Sequence, residues 1–223
     1  MRYADFTPYD LVLLAQGLGV TLWVFLVTTA IGLVIGLAWG IIRFYRVPLA
    51  TPAIDFVSEF LKNSPVLVQL FLVYFGVPGL MHVDMTPVFA ATITLSANTA
   101  AFIYVIVVSA IESVGRDQIE AARAFGLSRW QVLRHIIAPQ AIAFSAGPLT
   151  ALLVNQLQVT SLISVIGVMD LAKIGANLNL RTLKPFVVWT VVGALYYVAA
   201  KLVALAGARI EARLRAHAVF RGL

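Results

Sequence analysis

The sequence predicts an all-α integral membrane protein with five transmembrane helices, and three observations carry that expectation. Of the 223 residues, 61% are hydrophobic and only 12% charged, about half the charged share of a soluble domain. The mean hydropathy is +0.94. Uncharged runs at Leu11–Ile42, Asn63–Val83, Met85–Ile111 and His135–Met169 each exceed the ~20 residues a spanning helix needs. A fifth run, from Lys184 to Arg209, is interrupted only by Lys201, whose stem can snorkel toward a helix end.

The charge distribution predicts orientation. With the N-terminus outside and five alternating spans, the inner segments 43–62, 112–135 and 209–223 hold eleven Lys and Arg residues, Arg215 and Arg221 among them. The outer segments hold four: Arg2, Lys173, Arg181 and Lys184. Short cytoplasmic loops carry the basic excess, so the expected topology is N-terminus out, C-terminus in. The formal charge of +6 is thereby a topology signal, with lipid rather than nucleic acid as the partner of the basic residues. The first apolar run is too long for the core of a cleaved signal peptide and is expected to stay as an anchor. No cysteine is present, and His82, His135 and His217 are too scattered for metal-ligand spacing.

The elements follow in order within one domain spanning 1–223. Met1–Asp10 is a short outer lead. The first span ends at Arg43 and Arg46. Residues 51–62 are amphipathic, with Ile54, Val57 and Leu61 on one face and Asp55, Glu59 and Lys62 elsewhere, which predicts a helix lying at the inner interface. Asn63-Ser64-Pro65 breaks the regularity before the chain runs outward to Val77-Pro78-Gly79. The third span returns from about Val88 to Glu112. The fourth apolar stretch runs outward and becomes least helix-like over 155–170, where β-branched and hydroxyl residues precede Gly167. Phe186–Ala208 is the last span.

Polar residues within the apolar runs form clusters: Asn63, Ser64 and Gln69; Asn98 and Thr99; Asn155, Gln156, Gln158, Thr160, Ser161 and Ser164. Hydrogen bonding between helices is one reading of them. A polar path through the bundle is the other, with Asn98, Thr99, Gln158, Thr160 and Ser161 as candidates. Titratable groups are nearly absent from the span centres, where each would cost at least ~2.5 kcal/mol. That disfavours a proton relay and, with no inverted repeat, a secondary transporter or channel working without ATP. A membrane enzyme would need a nucleophile–base or metal cluster, and none is visible.

The loop at about 113–139 is the one elaborate polar segment. QIEAARAFG at 118–126 combines helix formers with a glycine suited to a left-handed cap. Ser128 and Gln131 fit a capping box opening a second helix, and Pro139 limits or kinks that helix. Ala121 and Ala122 offer a face without bulk that can press into a groove on another protein, flanked by Glu120 and Arg123.

Glu120, Ala121, Ala122, Gly126, an isoleucine at 136 or 137 and Pro139 together resemble the signature loop of binding-protein-dependent ABC importer permeases. FLKNSPVLVQLFLVYFG at 60–76, QIEAARAFGLS at 118–128 and TSLISVIGVMDL at 160–171 resemble the polar amino-acid permeases, and the similarity covers roughly residues 15–210. The resemblance implies a type I ABC importer permease fold in a bacterial inner membrane, carrying a polar amino acid. It makes 118–126 a coupling helix, with Arg123 beside it, docked on a cytoplasmic ABC ATPase dimer. It also implies an extracytoplasmic amino-acid-binding protein and a second permease. ATP and Mg would be bound by the ATPase, with no cofactor in this chain, which lacks a phosphate-binding loop.

Two departures from that family stand out. Where many relatives carry Glu and Arg in the third span, NTAAFIYVIVVSAI at 98–111 has Val105 and Val108. Where relatives often read L-K-D-T-S-L, this chain has Gln158 and Val159. Loss of balanced charges leads to the expectation of a heterodimer with a non-identical, charged permease.

Overall fold

The computed structural model describes residues 5–220, with the side chains at 215 and 217–220 left aside. Arg2 and Arg221 of the charge count, and the side chains of Arg215 and His217, lie outside the described residues. Regular structure among the described residues is entirely helical. Helix α1 (Pro8–Tyr45) is followed by α2 (Ala50–Asn63). Helix α3 (Val66–Phe71) runs through a π-helical turn at Leu72–Gly76 into α4 (Val77–Met81). Then come α5 (Pro87–Glu112), α6 (Arg116–Ala124) and α7 (Arg129–Val132). A second π turn, Leu133–Ile137, leads into α8 (Ala138–Val159), which tightens into a 3-10 segment at Thr160–Ile166. Helices α9 (Leu171–Thr182) and α10 (Pro185–Phe220) complete the chain.

Four helical stretches are long and apolar enough to cross a membrane: Pro8–Tyr45, Pro87–Glu112, Arg129–Ile166 and Pro185–Leu214. The second apolar run is broken where Asn63-Ser64-Pro65 interrupts it. Ala50–Asn63 and Val66–Met81 meet at an angle of 108° across Ser64-Pro65, so the fifth crossing exists only as part of a broken helix. At 1.5 Å per residue the Val66–Met81 arm is about 24 Å long, short of a hydrocarbon core of about 30 Å. The bend lies where the sequence places it, because a residue before proline is pushed out of helical geometry; Ser64 has φ −104° and ψ 144°.

Two further prolines, Pro78 and Pro139, do not end their helices. Pro78 and Pro139 each follow a π turn, closed by N–H donation from Val77 to the Leu72 carbonyl and from Ala138 to the Leu133 carbonyl. A proline cannot donate to the carbonyl four residues back and its ring crowds that carbonyl. The wider π turn removes the conflict. The helix accordingly passes through Val77-Pro78-Gly79 and ends at His82, which is left-handed at φ 54°.

Helix α5 is the centre of the bundle. Its partner α1 brings Gly32, Gly36 and Gly40 against it at four-residue spacing. A Cβ on Gly32 would lie 2.7 Å from the Thr99 side chain, and one on Gly36 would lie 2.7 Å from Ile103 and 2.8 Å from the Ala100 carbonyl. Such approach is available only to glycine, and in lipid, where apolar burial drives nothing, close packing is a main source of helix association. At the opposite end of α1, Gly17 takes the backbone of Asp170 and Leu171 at 3.0 Å from where its Cβ would sit. Buried Asp10 accepts from the Thr7 N–H at 2.8 Å and pairs with Arg181 at the end of α9.

Helix α2 forms over the amphipathic stretch, and several of its polar residues turn inward: Thr51 and Ser58 are buried, the Ser58 hydroxyl donates to the Ala101 carbonyl at 3.3 Å, and Asp55 accepts from Arg43 at 2.8 Å and from the Tyr104 hydroxyl. Phe56, Val57 and Phe60 are exposed. Asp55 and Ser58 thus have partners in the bundle, while the aromatic side of this helix needs only lipid. Helix α9 is an element that no periodicity in the sequence announced; it begins where Asp170 accepts the Lys173 N–H at 2.8 Å.

If the glycine stripe sets the α1–α5 distance, Gly36→Val should destabilise the purified protein by about 1–3 kcal/mol, the usual range for overpacking. Gly19→Val is the matched control, because a Cβ there meets nothing within 4 Å. Thermal unfolding in detergent compares the two; equal midpoints would remove the stripe from this role.

Candidate functional site

The 113–139 loop folds as its sequence predicts. Helix α6 ends in a Schellman motif: Gly126 is left-handed at φ 81°, its N–H donates to Arg123 at 2.9 Å, and the Leu127 N–H donates to Ala122 at 3.1 Å. The capping box is formed in both directions, Ser128 N–H to Gln131 Oε1 at 2.8 Å and Gln131 N–H to Ser128 Oγ at 3.3 Å. Helix α7, the π turn and α8 then run on as one rod. The start of this rod is tied to α6 by Gln140, whose amide donates to Gln118 at 2.7 Å and to the Ile136 carbonyl at 3.1 Å.

The two alanines part company here. Ala122 is buried in the loop's own core with Val114, Val132, Leu133 and Ile137, against Phe44 and Tyr45 at the end of α1. Its assignment to an outward docking face is therefore corrected: the side chain is already occupied. Helical phase puts Glu120, Ala121, Arg123 and Ala124 outside, and Phe125 stands out at 85% exposure. Pro139 is half-buried in the rod. Sequence reasoning missed Phe125 and the Gln118–Gln140 clamp. A large aromatic directly before the capping glycine was the available signal for the first.

The candidate pathway residues do not come together. Asn98 is buried and donates to the Leu61 carbonyl at 3.1 Å and to Gln69 Oε1 at 3.4 Å. The Gln69 amide donates to the Leu61 carbonyl at 2.7 Å and to the Ser64 carbonyl and hydroxyl at 3.0 and 2.8 Å. These side chains thus satisfy the carbonyls released where α2 breaks from α3, as buried backbone in lipid requires. Thr99 is buried against Gly32, and Thr160 is buried with its hydroxyl on the Leu157 carbonyl at 2.6 Å. Gln158 is exposed and Ser161 half-buried. Val105 and Val108 line a cavity of about 280 Å3 whose charged walls come from elsewhere, namely Arg43, Asp55, Glu59 and Lys62.

At the end of the bundle remote from the loop, beyond the Arg129–Ile166 span, Asp170 is buried beneath α9. Besides the Lys173 N–H, it receives the Tyr196 hydroxyl at 3.4 Å, while the Leu171 N–H donates to Thr21 at 3.1 Å. Burial pushes its carboxyl up to about 6, against the lowering effect of the Lys173 and Ala172 N–H groups.

Long apolar helices around a central one, with a broken helix beside it and a capped polar loop at one end, define a polytopic helical membrane protein built around one loop. The chain belongs to the family of binding-protein-dependent transport system inner membrane components, which residues 30–216 match; it is a multi-pass permease subunit of the inner membrane, and not itself an enzyme. It is 32% identical over 204 residues, covering 89% of this chain and 84% of the relative, to the L-cystine transport system permease protein TcyL of Bacillus subtilis (strain 168). Against the glutamine transport system permease protein GlnP of Escherichia coli (strain K12) the identity is 30%, covering 91% of this chain and 93% of that one. A chain in a crystal structure described as an amino acid ABC transporter with histidines superposes with a TM-score of 0.85 at 25% identity, covering 94% of this chain and all, 100%, of the other.

The Asp170 carboxyl has a direct pH consequence. Its folded value of about 6 lies above the ordinary 3.8, so between those values the folded state holds a proton that the unfolded chain releases. The stability contributed by that proton is fully present below about pH 4 and is lost as pH rises through about 6. We expect the unfolding midpoint of the wild type to fall more between pH 4 and pH 7 than that of Asp170→Asn. Identical pH profiles would show that Asp170 does not titrate in this range.

Proposed function

We propose that this chain is the membrane-spanning subunit of an ATP-driven importer for a polar amino acid, coupled through α6 to a cytoplasmic ABC ATPase dimer. Substrate arrives from an extracytoplasmic binding protein, with the N-terminus outside and the loop end inside. The observation that carries the reading is the exposed side of α6. A nine-residue helix is fixed by a Schellman cap, a core of its own and the Gln118–Gln140 clamp, yet it leaves Phe125 unpacked. A rigid helix presenting one free aromatic beside small and charged residues suits insertion into a groove, where aromatics dominate the energetics. The relatives named for cystine and glutamine support a polar amino acid as the cargo. ATP and Mg belong to the ATPase subunits.

The polar residues divide into two roles in this reading. Gln158 and Ser161, at the end of α8, reach the pathway wall. Asn98, Thr99 and Thr160 hold the helices that form it. With Val105, Val108, Gln158 and Val159 neutral, the pathway is completed by a second, non-identical permease that supplies charged contacts.

Two substitutions one residue apart test the docking face. Ala121→Trp should leave the protein folded and lose ATPase co-purification and transport. Ala122→Trp should lower thermal stability by disrupting the loop core, since added bulk there costs about 1–3 kcal/mol. Normal transport and ATPase retention in both Ala121→Trp and Phe125→Ala would overturn α6 as the docking element.

Pairing is tested by reconstitution in proteoliposomes with the ATPase and a matching binding protein. Uptake of a labelled polar amino acid should appear only when a second, charged permease is added. ATP-driven uptake by this chain alone with those partners would replace the heterodimer by a homodimer. No ATP-driven uptake with any permease present would overturn the importer reading.

A further inference from the structure

Where α1 ends, the chain makes an elbow that the transport reading leaves unused. Arg46 is left-handed at φ 53°, and Leu49 has φ 65° and ψ −44°. The Ala50 N–H donates to the Pro48 carbonyl at 2.7 Å, which closes a three-residue γ-turn about Leu49. With positive φ this turn is rare and strained for a side-chain-bearing residue, and such outliers point toward a functional constraint. Its effect is to hold the Leu49 side chain out at 86% exposure.

Beside the elbow lies a cavity of about 760 Å3, lined by Arg43 and Arg46 from the end of α1 and by Arg123 and Arg129 from the α6–α7 loop. Glu112 is the one carboxylate in its wall. Arg43 is engaged with Asp55. Among the described residues, Arg46, Arg123 and Arg129 form no ion pair. Gathering cations without matching anions is unfavourable unless an anion joins them. Planar guanidinium groups suit a ligand with several acceptor oxygens, which each can grip with two N–H groups.

Position and lining select the source of that anion. The cavity extends from Gly40, in the apolar part of α1, to Arg129 in the polar loop, so it straddles the level at which hydrocarbon gives way to headgroups. Its remaining walls include Phe44, Val47 and Pro48, and the adjoining α2 turns Phe56 and Phe60 outward. Basic pockets between membrane helices with this combination suit phospholipid headgroups. We infer that the cavity binds an anionic phospholipid from the leaflet on the loop side: Arg46, Arg123 and Arg129 hold its phosphate, and its glycerol and upper acyl region lie against Val47 and Leu49. One headgroup then bridges the α1–α2 elbow and the α6–α7 loop, making loop rigidity dependent on lipid charge.

The test uses the full-length chain in a neutral detergent, with phosphatidylglycerol, phosphatidylcholine or inorganic phosphate added at equal concentration. Native mass spectrometry reads retention, and thermal unfolding reads stabilisation. Phosphatidylglycerol should be retained and should raise the unfolding midpoint, whereas phosphatidylcholine should do neither. The triple variant R46Q/R123Q/R129Q should lose affinity roughly a hundredfold, at about fivefold per arginine. Leu49→Ser should weaken retention of the lipid without restoring selectivity for phosphatidylcholine. Arg209→Gln, outside the cavity, controls for general loss of charge. Unchanged retention in the triple variant overturns the site. Stabilisation by inorganic phosphate equal to that by phosphatidylglycerol overturns the lipid in favour of a free phosphate. Release of bound phosphatidylglycerol on adding the ATPase subunit overturns it in favour of an acidic protein surface.

Discussion

The close approach of α1 to α5 is the constraint on which the rest of the molecule depends. Gly32, Gly36 and Gly40 remove side chains along one line of α1, and Thr99, Ile103 and Val107 of α5 occupy the space. In lipid this contact cannot draw on the hydrophobic effect, so it relies on packing that only glycine permits. Once α1 lies on α5, its far end delivers Phe44 and Tyr45 to the core of the polar loop. Arg43 is brought to Asp55, and α2 is thereby turned across the end of the bundle with its polar side inward. At the other end the same helix carries Asp10 to Arg181 and Thr21 to Leu171.

Irregular backbone in this protein is matched at several points by a specific compensation. The break between α2 and α3 releases carbonyls at Leu61 and Ser64, which Gln69 and Asn98 take up. The π turns ahead of Pro78 and Pro139 accommodate residues that cannot donate. The Arg129–Ile166 helix ends in a 3-10 segment whose hydroxyls bond back to nearby carbonyls, as Ser161 does to Gln158 and Ser164 to Ser161. Without water in the hydrocarbon region, unpaired backbone groups cost several kcal/mol each. Much of the polar inventory within the spans is therefore committed to backbone, leaving few groups free to face a permeant.

The loop shows how a small helix is held in place by its surroundings. Nine residues of isolated helix are unstable in water. Here α6 is held by a cap at its end, by Ala122 in a shared core and by an amide clamp to α8. Ala122 of α6 shares its core with Phe44 and Tyr45 of α1 and with Val132 and Ile137 of the rod that continues into α8, which is the linkage that the proposed coupling through α6 calls for.

Sequence by itself determined the helical membrane class, the number and approximate limits of the apolar stretches, the break at Ser64-Pro65 and the capping chemistry at Gly126, Ser128 and Gln131. Each of these depends on residue type within a few neighbours: hydropathy over about 20 residues, a proline's effect on the residue before it, or a glycine's access to positive φ. Tertiary structure decided which side of each element is used. Ala121 and Ala122 look alike in the sequence, yet only Ala122 meets Val132 and Ile137. Asn98 stands among the polar candidates in the sequence, and only the fold brings the Leu61 carbonyl of α2 beside it; likewise the amphipathic pattern of α2 does not say that Arg43 and α5 supply partners for Asp55 and Ser58. The reason is physical: in a bilayer, apolar residues suit both the interior and the lipid surface, so hydropathy does not orient a helix about its own axis. Only the contacts of neighbouring helices do.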